Sequence, residues 1–76
     1  MLGILLNQRE VKEIKYLLKR ELDEILFDLE DDRIDRKVKS AMIIRYKELF
    51  SLFKRIAPPK ECLQYVMKEN KYINKI

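Results

Sequence analysis

Seventy-six residues make one domain at most, carrying 17 Lys/Arg against 13 Asp/Glu and no histidine. Cys62 is the lone cysteine, which excludes an intramolecular disulfide, and without histidine there is neither a conventional zinc site nor an imidazole base. An apolar fraction of 47% supports a real core, yet so short a chain buries a smaller fraction of its surface than a larger domain and must rely on close helix packing or on a partner.

The chain begins with an apolar run from Leu2 to Leu6, interrupted by Gly3. This is far short of the roughly 20 residues that span a bilayer. It also lacks the basic start and small-residue cleavage site of a signal peptide. The reading is a cytoplasmic chain with no membrane association, and the frequent Lys, Ile and Asn point to an AT-rich bacterial or phage genome. Leu2, Ile4, Leu5 and Leu6 are expected to fold over the open end of the helices that follow, near Phe53, Ile56 and the third helix.

A first helix is predicted over 8–30. Asn7 can cap it, Glu10 stands where a capping box needs it, and Leu6 and Val11 suit a hydrophobic staple. From Val11 through Ile14, Leu18, Leu22 and Ile25 to Leu29 the apolar residues recur at three and four, with Leu17 and Leu26 at the edges. The acidic stretch around Asp31 and Asp32 then supplies a cap for a second helix, predicted over 33–56. So short a connection sets the two helices antiparallel. A continuous bent helix is the alternative, since the connection holds no glycine. The second helix stops before Pro58, which disfavours helical backbone at Ala57. A Pro at the first turn then suits a third helix over 59–70, carrying Cys62, Leu63, Val66 and Met67, with Lys71 to Ile76 as a frayed tail. The fold class is therefore all-α: a long antiparallel helical hairpin plus a short third C-terminal helix, with a second copy completing a four-helix-type bundle.

The second helix is apolar around about half its circumference, because Ile43, Tyr46, Phe50 and Phe53 widen its stripe. Its sequence neighbour shields only one side, so the third helix or another subunit must cover the other. Ile43, Tyr46, Phe50 and Phe53 are therefore the candidate protein interface. Tyr16 and Phe27, on the outer side of the first helix, are further candidates, with Arg20 placed to stack on Tyr16. A turn near Asp32 brings Glu21 close to Arg45, and the two are expected to form a buried ion pair across the hairpin. The alternative sends Arg45 outward past Glu48 or Ser51.

Charge is segregated along the chain. Residues 1–32 carry 5 Lys/Arg against 9 Asp/Glu, a net of −4, and residues 33–76 carry 12 against 4, a net of +8. An acidic helix beside a basic one favours this antiparallel pairing. It also leaves a row of Arg33, Arg36, Lys37, Lys47, Lys54 and Arg55 on the second helix, able to neutralise phosphates of a nucleic acid without reading sequence.

No catalytic set, cofactor motif or metal site is legible. Cys62 has no triad partner and reads as a small core residue. Glu30, Asp31 and Asp32 could gather a cation, but no EF-hand spacing surrounds them. The expected function is a non-enzymatic helical interaction module, bound to itself or to another protein, with no small-molecule substrate; the alternative is a basic nucleic-acid binder.

Overall fold

The computed structural model describes residues 1–73. Within them the helices are α1 (Gln8–Leu29), α2 (Arg36–Ile56) and α3 (Pro59–Tyr72). The expected all-helical order holds, and α1 packs along α2 as a hairpin.

α1 starts where its capping residues dictate. The Asn7 side chain accepts from the Glu10 backbone N–H at 2.8 Å, and the Glu10 carboxylate accepts from the Asn7 N–H at 3.0 Å. These two bonds satisfy donors that the first turn of a helix leaves without partners. Leu6 and Val11, on either side of the cap, are both half-buried.

The turn corrects the expected start of the second helix. Asp31 and Asp32 do not cap it; α2 begins at Arg36 with Asp35 as its N-cap, accepting from the Lys37 N–H at 3.2 Å. Asp31 is engaged otherwise. Its carboxylate accepts from the Arg33 N–H at 2.9 Å and from the Arg33 guanidinium at 3.0 and 2.9 Å. A side chain that folds back onto the backbone two residues on closes a turn, and the helix starts only past it. The guanidinium beside Asp31 also holds that carboxyl below the usual range.

α2 ends as Pro58 requires, with Ala57 extended at ψ 148° and its N–H still donating to the Phe53 carbonyl. Pro59 opens α3 at a position where no N–H is needed. α3 runs two residues beyond the expected end, and Ile73 is buried after it, so Lys71–Ile73 are not frayed. Residues 74–76 lie outside the described residues.

The core is formed where all three helices meet. α1 contributes Leu18, Leu22, Ile25, Leu26 and Leu29; α2 contributes Tyr46, Phe50 and Phe53; Tyr65 and Ile73 close the third side. Four rings interlock there. Phe53 meets Tyr65 edge-on at 5.4 Å between centroids, Phe50 lies 6.2 Å from Tyr65, and Tyr46 lies 6.1 Å from Phe50. Such tilted arrangements suit the ring quadrupoles and add to the apolar area they bury. The Tyr46 hydroxyl, which burial would otherwise leave without a partner, donates to the Tyr65 carbonyl at 3.2 Å. Burial pushes the pKa of both tyrosines upward, which keeps the Tyr46 hydroxyl a neutral donor.

Candidate interaction surfaces

The broad apolar face of α2 does need a second cover, and α3 supplies it. Tyr46 and Phe53 are fully buried and Phe50 is 4% exposed, all within the chain's own core. Ile43 is half-buried and packs against the same cluster. This corrects the expected interface: Tyr46, Phe50 and Phe53 cannot touch a partner while α3 is docked. The reason is the single ring of Tyr65, which seats among them.

α3 is held on its α1 side by charge. Glu61 lies between Lys15 at 3.1 Å and Lys19 at 2.8 Å, and Lys68 reaches Asp23 at 3.3 Å. The two ammonium groups hold the Glu61 carboxyl below its ordinary pKa. These contacts fix which flank of α1 faces α3. The opposite flank is fixed by Glu21, whose carboxylate meets Arg45 of α2 at 3.3 Å.

That contact forms as expected, but not as a buried pair. The Arg45 side chain is 59% exposed and that of Glu21 40%. Tyr46, not Arg45, occupies the centre of the α2 face, and Arg45 sits about 100° around the helix at its rim. A pair this open adds little to stability.

The leading apolar segment is also corrected. Leu2 is 93% exposed, Ile4 72% and Leu5 99%; only Leu6 is half-buried. The end of the hairpin that they were expected to cover is closed by Ile56, Ala57 and Cys62, which pack against the core as α3 begins. Residues 1–5 are left exposed, and only Leu6 keeps a surface to pack on.

Tyr16 and Phe27 stand outside as expected, 60% and 78% exposed, beside a shallow trough that also involves Arg20 and Glu24. Arg20 pairs with Glu24 at 3.3 Å, which takes the guanidinium to a carboxylate one turn on. Of the basic row, Arg33 is bound to Asp31, and Lys54 lies 4.9 Å from the Phe50 ring centroid. Arg36, Lys37, Lys47 and Arg55 are exposed.

Cys62 is half-buried beside the core, its Sγ 3.7 Å from the Ala57 carbonyl. Among the described residues no group of carboxylates and thiol is placed to hold a metal ion, and no helix is long and apolar enough to cross a membrane.

A surface that sequence reasoning passed over lies opposite α3. There Leu17 is 55% exposed, Val38 51% and Leu52 44%, on the flanks of α1 and α2 that meet at Glu21 and Arg45. Leu17 had read as the edge of an apolar stripe; its exposure follows from α3 taking the other edge, at Leu26. Compared with known proteins, the chain matches no family model, no curated protein and no solved structure.

Proposed function

We propose that this chain is a non-enzymatic helical interaction module that acts by occupying a protein surface, and that its partner is a second copy of itself. The observation that carries this reading is the one-sided cover of the hairpin. α3 packs on one face of α1 and α2, and the face opposite keeps Leu17, Val38 and Leu52 about half exposed around an ion pair. Two such hairpins laid face to face make a four-helix bundle, which enlarges a core that is small for an isolated chain. Sedimentation equilibrium across nanomolar to micromolar concentrations tests it. A concentration-dependent dimer is the expected result, and a monomer throughout would refute self-association.

A second reading, binding of nucleic acid, is favoured by the outward side of α2. Arg36, Lys47 and Lys54 fall on one line there, with Ser40 and Ser51 between them, and none of the three has a carboxylate within ion-pairing distance among the described residues. Such a row would neutralise phosphates without reading bases. Affinity for a random duplex should then fall steeply with salt. Changing Lys47 and Lys54 together to Gln should lower that slope by about two. No binding at low salt would end this reading.

A further inference from the structure

Resting on the self-association proposed above, we infer that the second copy docks on the hairpin face opposite α3, about a two-fold axis parallel to the helices. The charge around α1 points to this arrangement. At about 100° per residue, Glu10, Glu13, Leu17, Glu21, Glu24 and Asp28 fall within an arc of about 80°. Five carboxylates and one leucine thus form a ridge. The Glu21 contact to Arg45 places this ridge on the α2 side of α1, and the contacts of Lys15, Lys19 and Asp23 place α3 on the other side. The adjoining flank of α2 is of opposite character. Lys37, Arg45 and Arg55 lie on it among Val38, Ala41 and Leu52, with Glu48 as its one carboxylate, and all seven are exposed.

Two ways of laying one face on another are symmetric. An axis perpendicular to the helices sets α1 against α1, carboxylate ridge on carboxylate ridge, which like charges oppose. An axis parallel to the helices sets α1 of each copy antiparallel against α2 of the other, acidic ridge on basic flank. Charge therefore selects the second.

Symmetry then fixes the register. A rotation about an axis parallel to the helices leaves every residue at its own height. A residue of α1 in one copy is therefore level with the same α2 residue, in the other copy, that it faces within its own chain. Glu21 and Arg45 touch within the chain, which sets the heights. Counting outward from them places Asp28 level with Lys37 and Val38, and Glu10 level with Arg55 and Ile56. Leu17 comes level with Leu49, between Glu48 and Leu52. Opposite charges thus meet at three heights, top, middle and bottom, with leucine between. An interface matched by charge at these three heights on separate helices discriminates against slipped registers.

The test uses the full chain and two exposed positions. Asp28→Lys and Lys37→Asp each set like charges against each other at both symmetric sites of a homodimer. Each variant alone is expected to dimerise about ten-fold more weakly than wild type at low salt. Mixed in equal amounts, they form a heterodimer in which one site keeps Asp28 with Lys37 and the other holds the reversed pair. The mixture should recover wild-type affinity, a rescue that no contact within a single chain can produce. Circular dichroism confirms that both variants stay helical. A dimeric wild type whose single variants dimerise as well as it does, or whose mixture shows no recovery, would overturn this arrangement and leave self-association standing. A monomeric wild type would overturn both and leave the face for a different protein.

Discussion

Tyr65→Ala removes the ring that makes α3 a cover for α2. The residue is 1% exposed, and its ring lies 5.4 Å from that of Phe53 and 6.2 Å from that of Phe50. Truncating a buried aromatic to alanine costs about 3–5 kcal/mol, comprising lost transfer energy and the cavity left behind. A chain of this length typically has roughly 4–11 kcal/mol in all, at ~0.05–0.15 kcal/mol per residue. The substitution should therefore remove from about a quarter to all of the stability. It should also release α3, exposing Tyr46, Phe50 and Phe53 to solvent and making the protein aggregate. Urea unfolding followed by circular dichroism measures the loss, and dye binding to exposed apolar surface reports the release. Tyr65→Phe keeps the ring and should stay within about 1.5 kcal/mol of wild type. A loss below about 1 kcal/mol for Tyr65→Ala would refute the reasoning, because the α2 face would then be stable without its cover.

Three further outcomes follow from the same structure. Asn7→Ala removes the side chain that accepts from Glu10 N–H at 2.8 Å and should cost about 1 kcal/mol, read as a lower urea midpoint with unchanged slope. Glu61, whose pKa is lowered by Lys19 and Lys15, should contribute stability that is present above the ordinary carboxylate value of 4.5 and lost as pH falls through its lowered value. In Glu61→Gln that part of the acid dependence should be missing, while stability at neutral pH falls by a small amount, as measured by urea titrations at each pH. Because the Glu21–Arg45 pair is open to water in the single chain, a double-mutant cycle with Glu21→Ala and Arg45→Ala, run at concentrations where the protein is monomeric, should give a coupling of only about 0.2–1 kcal/mol; a value several times larger would contradict the exposed geometry.

The parts of this protein that were legible in advance are those set by neighbours in the chain. The capping box at Asn7 and Glu10, the break at Pro58 and the extent of α1 depend on interactions within four residues, and the structure keeps all three. Asp35 is an instructive exception. Asp31 and Asp32 were the expected caps of α2, and the role passes to Asp35 because Asp31 turns back onto Arg33. The breadth of the apolar face on α2 was legible as well, and so was the need for a second cover. Its occupant was not. Tyr65 reads as an ordinary polar-aromatic residue of a short helix until its ring is found between Phe50 and Phe53.

By itself, the sequence determined the helical segments, their order and the sign of charge along them, because helical periodicity, caps and proline act locally; the turn that makes the first two a hairpin, against a continuous bent helix, was settled by the structure. Tertiary structure alone decided that Tyr46, Phe50 and Phe53 face inward, that Glu21 and Arg45 meet at the surface, and that Leu17, Val38 and Leu52 remain outside. The physical reason is that periodicity gives the direction of a side chain about its own helix, whereas burial depends on which neighbouring helix arrives on that side. For α2 that was settled by one buried tyrosine and by the ion pairs holding its helix to α1.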